Sequence, residues 1–383
     1  MNVLHTSDWH LGKRLMDRDR LPEQSEALEE LVKICEEEKV DLVLVAGDVF
    51  DTYLPSADAE EVFYRAMKAL AGEDRAVVVI SGNHDDGVRL SAASGLAEEQ
   101  GIYLFGNRPR TPRVGGMRAV KAVEAGENWL LIENGAGERV YINALPYPNE
   151  ARLKEEKTEE SFSERMTRWI SRGEAGYHGD TAHIFLSHLF VAGGKTSESE
   201  RDIDLGGARA VPLHCLPNEG YTALGHLHRP QMLGDNVCYS GSLLQYSFDE
   251  ANTKKGVRLL HVEGKSITAR DVPLKSGKPL VRLQCRGVSE ALSLLPRYAS
   301  NYIELTLFLD APLTSAETEA LRAANGGLVS LITQVAQGER EEIVCRAALK
   351  PEELFSEYYR AQFGGLPSEE LKTAFLRLLE EEA

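Results

Sequence analysis

Asp41-Leu42-Val43-Leu44-Val45-Ala46-Gly47-Asp48-Val49-Phe50-Asp51 is a short apolar run that stops at a glycine and delivers two carboxylates. Its length and its aliphatic, β-branched content suit a buried strand. Similar runs stand at Val3-Leu4, Ala76 to Ser81 and Ala182 to Ser187. Helical patterns from about Pro22 to Glu38 and from about Ser56 to Gly72 separate the first three. In the first helix Leu28, Leu31, Val32 and Cys35 recur at i, i+3, i+4, i+7 and share one face. Strands alternating with helices of this length predict an α/β layered core. From Trp129 onward the strands crowd together (Trp129 to Ile132, Val140 to Ala144), so part of the sheet structure is expected to be antiparallel.

Five runs end in side chains that bind metals. They are Asp8-Trp9-His10, Gly47-Asp48-Val49-Phe50-Asp51, Gly82-Asn83-His84-Asp85, His188, and Gly225-His226-Leu227-His228 after Tyr221 to Leu224. In an open α/β sheet, residues just past the strand ends gather along one edge, where sites form. The glycines before Asp48, Asn83 and His226 are expected to let the backbone turn sharply there. Carboxylate, amide and imidazole without thiolate suit manganese, iron or zinc, and suit magnesium less well. Asp8, His10, Asp48, Asn83, His188, His226 and His228 are too many for one tetrahedral site. They suit two ions sharing a carboxylate, an arrangement that serves phosphoryl hydrolysis. A single D-x-H or G-D pair is ordinary turn chemistry, whereas five such clusters in order, each after a strand, have no packing purpose.

These clusters resemble the signature of the calcineurin-like metallophosphoesterases. The opening L-H-T-S-D-W-H-L-G, the G-D-V-F-D block, the S-G-N-H-D block and the S-E-S-E-R run at Ser197 to Arg201 are similar, more narrowly, to the nucleases of double-strand-break repair. The resemblance implies a core of mixed β-sheets flanked by helices, a smaller α/β capping domain and a helical tail. It assigns one ion to Asp8, His10, Asp48 and His228, and the other to Asp48, Asn83, His188 and His226, with Asp48 bridging. It makes His84 the catalytic histidine and not a ligand. It also implies two manganese ions, exonuclease action on duplex ends, endonuclease action on single strands and hairpins, and a homodimer working with an SMC-like ATPase in a heterotetramer. The alternative is a phosphodiesterase or phosphatase for a small phosphoester on the same core. From the residues themselves, His84 next to Asn83 can protonate a leaving oxygen or bind the phosphate. Asp51 either orients a histidine or caps a helix.

At 383 residues the chain has room for two or three domains at roughly 150 residues each. It is 43% hydrophobic and 27% charged, which excludes a disordered or collagen-like bulk. The net charge of −17 leaves no room for a broad basic face, so DNA must be met by ions and local cations. Lys13, Arg14, Arg18, Arg20, Arg89 and Arg229 lie nearest the site motifs. Five scattered cysteines without a C-x-x-C pair read as free thiols. With no leader and no membrane-spanning run, the expectation is a cytoplasmic protein. Gly193-Gly194-Lys195-Thr196 is not a P-loop, because Leu189 stands where the first glycine is required. His5 and His183 fall inside strands and read as core residues, and Trp9 as packing under the site.

The polar stretch from Ala151 to Ser161 reads as a solvated insertion before a helix carrying Phe162, Met166, Trp169 and Ile170. Turn-forming residues from Pro273 to Pro279 mark a domain boundary. The expected division is therefore 1–274 for the metal-bearing domain, 275–345 for the capping domain and 346–383 for the tail. In the tail, Leu354, Phe355, Tyr358, Tyr359 and Phe363 form one stripe. Leu371, Phe375, Leu378 and Leu379 form another behind a Ser368 cap. Such faces need something to bury against, and the ATPase is the expected partner.

Overall fold

Every residue of the run Leu42–Ala46 is buried, and its alternation sets the layers. Leu42, Leu44 and Ala46 point to one face of the sheet, Val43 and Val45 to the other. The protein is seen in a computed structural model that describes residues 1–148, 160–200 and 210–335, with Phe355, Ser356, Tyr359, Pro367, Ser368, Leu371, Lys372 and Phe375 beyond them.

The first sheet starts with β1 (Asn2–Thr6), β2 (Leu42–Ala46), β3 (Ala76–Ile80) and β4 (Ile102–Phe105), all parallel. The second holds β5 (Lys121–Gly126), β6 (Trp129–Glu133), β7 (Arg139–Leu145), β8 (Ala182–His188), β9 (Tyr221–Gly225), β10 (Gln231–Leu233) and β11 (Val237–Tyr239). The chain then returns to the first sheet with the hairpin β12 (Gly256–Glu263) and β13 (Ser266–Pro273). The strand orders are β13-β12-β1-β2-β3-β4 and β10-β11-β9-β8-β7-β6-β5. The crowded strands β5, β6 and β7 are antiparallel, as their spacing predicted. Parallel pairing resumes at β7-β8-β9.

The two sheets pack face to face. Val3, Leu42, Leu44, Val78 and Ile80 meet Leu130, Ile142, Ile184, Leu186 and Ala223 in the space between them. Outside the first sheet, Val43, Val45, Val77 and Val79 pack on Leu28, Leu31 and Cys35 of α1 (Leu21–Glu37) and on Phe63 and Leu70 of α2 (Ala57–Ala71). Outside the second, Phe185, Leu224 and Tyr239 pack on Met166, Trp169 and Ile170 of α3 (Phe162–Arg172). Each such side chain contributes roughly 1.5–3 kcal/mol by leaving water. Ser56 caps α2, with its Oγ accepting from the Ala59 N–H, and a capping box of Ser161 and Glu164 opens α3. The insertion expected before α3 lies mostly outside the described residues.

A third sheet of β14 (Leu280–Arg286), β15 (Tyr302–Leu309) and β16 (Leu328–Val335) carries α4 (Val288–Leu294) and α5 (Ser315–Ala324). The Pro273–Pro279 segment before it is anchored to α1. Lys275 and Ser276 N–H groups donate to Glu30, and that of Lys278 donates to Glu23. Leu280 and Tyr302 pack on Leu15, Phe248 and Ala251. Met1–Leu307 with Leu313–Thr333 forms one compact unit, and Phe308–Pro312 with Gln334–Ala383 a second. In the second, Phe355 stacks on Phe375 with ring centroids 4.2 Å apart. Most of the expected tail helices, and Arg201 and Cys345, lie outside the described residues. The four described cysteines, Cys35, Cys215, Cys238 and Cys285, are free and buried.

Candidate metal centre

The loops after β1, β2, β3, β8 and β9 converge at one edge of the two packed sheets. The backbone there is strained. Asp8 (φ 51°), His10 (46°), Asp48 (50°) and His226 (103°) all adopt positive φ, a conformation L residues avoid. The N–H of Asp8 donates to the Gly47 carbonyl (3.0 Å) and that of His10 to the Asp48 carbonyl (2.9 Å), locking the first two loops together. Asp85, fully buried, straps the next pair by accepting from the N–H groups of Gly82 (2.8 Å), Val49 (3.1 Å) and Phe50 (2.9 Å). Burial and the neighbouring Asp48 push its carboxyl up to about 6.

The three preceding glycines act differently from one another. Gly47 makes the sharp turn expected of it, with φ 83°. Gly82 and Gly225 instead permit close approach, which corrects the expectation of a turn. A Cβ on Gly82 would stand 2.1 Å from Asp48 Oδ1, and one on Gly225 2.0 Å from the Ala46 carbonyl.

The seven side chains singled out by the sequence come together, with His84 among them. Asp48 Oδ2 lies 3.4 Å from His10 Nε2 and 3.4 Å from His188 Nε2. His10 Nε2 and His228 Nε2 are 3.0 Å apart. Asn83 Oδ1 sits 2.8 Å from His188 Nε2 and 3.2 Å from His226 Nδ1. Asp8 Oδ1 accepts from the His226 N–H (2.9 Å) and lies 4.0 Å from His188 Nδ1. Three overlapping groups have ligand atoms within 4.8 Å of one another: Asp8, His10 and His228; His10, Asp48 and His84; Asp8, Asp48 and His188.

This donor set fits divalent cations. His226 Nε2 is buried without a hydrogen-bond partner. His188 Nδ1 can only donate to the Ala46 carbonyl (2.8 Å), which leaves Nε2 facing oxygens of Asn83 and Asp48. His188 therefore carries a proton: burial opposes the charge, but Asp48 and Asp8 outweigh it and raise the group to about 9. A cation there takes the place of that proton. Burial likewise works against a charged Asp48, yet His188 and His84 hold its carboxyl well below the usual range. Burial raises Asp8, depresses His10, and with His188 pushes His226 down to about 3.

Asp51 touches two histidines and caps no helix among the described residues. Its Oδ1 lies 3.3 Å from His10 Nδ1, 3.8 Å from His84 Nδ1 and 3.0 Å from Lys13 Nζ, and its carbonyl accepts from His84 Nδ1 at 2.7 Å. Trp9 is fully buried and donates to Thr6 Oγ1. His5 bonds Tyr221 and Leu224, and His183 pairs with Glu174. Lys195, in the loop that is not a P-loop, is exposed. Among the cations, Arg20 corrects the sequence reading. It is fully buried, paired with Glu23 and packed over Tyr302, so it cannot reach a backbone phosphate. Arg229 pairs with Asp249 and Arg89 with Glu60, while Arg14 and Arg18 donate to the backbone carbonyls of Asp17 and Gly326. Sequence reasoning missed Ser199, Glu200, Glu250 and Lys255, all of which contact His228 or a group bound to it. The S-E-S-E run carried a signal for the first two, and nothing in the local pattern marked the others.

Two packed sheets with metal-ligand loops at one edge fit a metallophosphoesterase. The calcineurin-like phosphoesterase family description matches residues 1–230. The SbcD subunit of nuclease SbcCD from Bacillus subtilis (strain 168) is 38% identical over 400 aligned residues, covering 99% of this chain and 97% of the relative. Its counterpart from Rhodobacter capsulatus, also an SbcD subunit of nuclease SbcCD, is 35% identical over 353, covering 85% and 84%. The chain belongs to the calcineurin-like phosphoesterases and, within them, to the family of SbcD nuclease subunits. Among solved structures, TT1561 of Thermus thermophilus aligns over 70% of this chain and 98% of its own at a TM-score of 0.34 and 15% identity, too weak a likeness to bear on function. No helix among the described residues is long and apolar enough to cross a membrane.

Proposed function

We propose that this chain is the nuclease subunit of an SbcCD-type complex, hydrolysing DNA phosphodiester bonds at a centre of two manganese ions. The observation that carries this reading is the place of Asp48, one of whose oxygens stands equally far, 3.4 Å, from a histidine of each sheet. Asp8, His10, Asp48 and His228 would hold one ion, and Asp48, Asn83, His188 and His226 the other. Bound ions supply a hydroxide near neutral pH and neutralise the phosphate oxygens. The protein's own groups do the rest. His84 has its Nδ1 hydrogen committed to the Asp51 carbonyl, so Nε2 is the nitrogen free to hold a proton for the leaving sugar oxygen. Asp51 aligns His10 and His84 together. Lys13 is held at Asp51, whose carboxylate also lies beside His10.

The substrate is DNA, cut as an exonuclease on duplex ends and as an endonuclease on single strands and hairpins. Residues 1–274 are the nuclease domain and 275–345 a cap over the DNA. Residues 346–383 dock SbcC, the SMC-like ATPase, in a heterotetramer built on a homodimer. The region after 275 favours this over a small-phosphoester hydrolase, which needs no third sheet. End-labelled duplex and hairpin DNA, incubated with manganese, test the reading against bis(p-nitrophenyl) phosphate. Cleavage of both DNAs supports it, and turnover of the small ester alone returns the chain to the alternative.

A further inference from the structure

Each histidine of the centre is steered by what its outer atoms touch, and His228 is held in an unusual way. Its backbone N–H donates to Glu200 Oε1 (2.8 Å), and its carbonyl accepts from Lys255 Nζ (2.6 Å). Its ring Nδ1 lies 2.5 Å from Ser199 Oγ. Three of its four polar handles are thus gripped by residues outside the ligand set, and only Nε2 faces the other ligands. His188 turns its Nδ1 to a carbonyl, whereas His10 Nδ1 makes no hydrogen bond and only has the Asp51 carboxylate 3.3 Å away. A serine hydroxyl, by contrast, both gives and takes, so on its own it leaves the tautomer of His228 undecided.

The decision is made one residue further out. Ser199 Oγ is 2.7 Å from Glu250 Oε1, which also accepts from the Tyr246 and Ser247 N–H groups (both 3.2 Å). Glu250 is fully buried and forms a close ion pair with Lys255, itself buried and donating to Ser242 Oγ (2.8 Å). A carboxylate paired in this way only accepts. The Ser199 hydrogen therefore points to Glu250, and its oxygen is left to accept from Nδ1–H of His228. With the hydrogen on Nδ1, the lone pair of Nε2 faces His10 and the centre. Ser197, whose hydroxyl lies 2.9 Å from Glu200 Oε1, holds the same loop in place.

We propose that Ser199, Glu250 and Lys255 form a positioning relay that fixes the Nδ1–H tautomer of His228 and thereby sets the affinity of the ion His228 binds. The relay rests on the two-metal reading above. It acts through His228 and touches neither substrate nor metal. Outer partners of ligand histidines typically change metal affinity about 10–100-fold.

Manganese titration by calorimetry of wild type, Ser199→Ala and Ser199→Thr tests this, with thermal melting of each metal-free protein alongside. The expected result is one of two binding events weakened about 10–100-fold in Ser199→Ala, near-native binding in Ser199→Thr, and melting unchanged in both. The hydroxyl rescue separates orientation of His228 from mere packing of the loop. A Ser199→Ala isotherm that superposes on a two-ion wild-type isotherm overturns the relay alone. A wild type that binds fewer than two ions overturns the two-metal reading and the relay with it.

Discussion

The two sheets meet at one centre but bring different chemistry to it. The first contributes both carboxylates, Asp8 and Asp48, together with His10, Asn83 and His84. The second contributes imidazoles only, His188, His226 and His228. The strain divides in the same way. Three of the four ligand residues at positive φ belong to the first sheet, each costing about 1–3 kcal/mol. That half is rigid in proportion, strapped by backbone bonds between loops and by Asp85. The second half borrows its order: His188 leans on the Ala46 carbonyl and the His226 N–H on Asp8, while His228 depends on the Ser197–Glu200 loop. Negative charge sits where the loops are strapped to one another, and imidazoles sit opposite.

The sharpest way to break this contrast is to remove one ligand from each half. Asp48→Ala takes away the oxygen shared between the sheets, so manganese titration should show neither ion and DNA cleavage should fall to background. His226→Ala should lose one ion and keep the other. If Asp48→Ala retains two ions with near-native affinity, its bridging place is wrong and the two halves are independent. Next in size comes His84→Ala. This residue is held by Asp51 and is assigned a proton and no ion, so both ions should remain while cleavage slows about 10²–10⁴-fold. Cleavage at the wild-type rate would make His84 a buttress for His10, whose ring it meets edge-on with centroids 4.7 Å apart.

The same division explains what could be read from the sequence. Leu42–Ala46 and Ala76–Ile80 are apolar throughout because both of their faces are covered, so these strands and the residues that follow them stood out. The placing of Asp48 and Asn83 was legible for that reason. The hairpin β12-β13 was not, because β13 is largely exposed and its residues alternate without an apolar signature. Arg20 misled because a charged residue near the motifs looks available, and only the fold reveals Glu23 and Tyr302 closing over it. Glu250 and Lys255 lie more than twenty residues from His228 along the chain, and a buried ion pair has no local pattern to announce it.

The smallest effect lies beneath the centre, where the sheets touch without metal ligands. His5 on β1 is fully buried against the second sheet, its Nε2 3.2 Å from the Leu224 carbonyl and its Nδ1 3.2 Å from the Tyr221 hydroxyl. The carbonyl can only accept, so Nε2 carries the hydrogen and Nδ1 takes that of Tyr221: the ring is neutral. Burial pushes its pKa down to about 3 from the ordinary 6.5. As the pH falls below 6.5 the unfolded chain takes up this proton first, so the stability His5 contributes is complete above 6.5 and is lost progressively toward 3. His188 has the opposite sign, its contribution fading as the pH rises through about 9, so the two are separated by comparing variants at each pH. Urea unfolding of wild type and His5→Gln, both metal-free, should give a stability gap at pH 7.5 that narrows by about 1–1.5 kcal/mol at pH 5.5. A gap that stays constant over that range would mean His5 is protonated alike in the folded and unfolded chain, and that the space between the sheets admits a charge as readily as the centre above it.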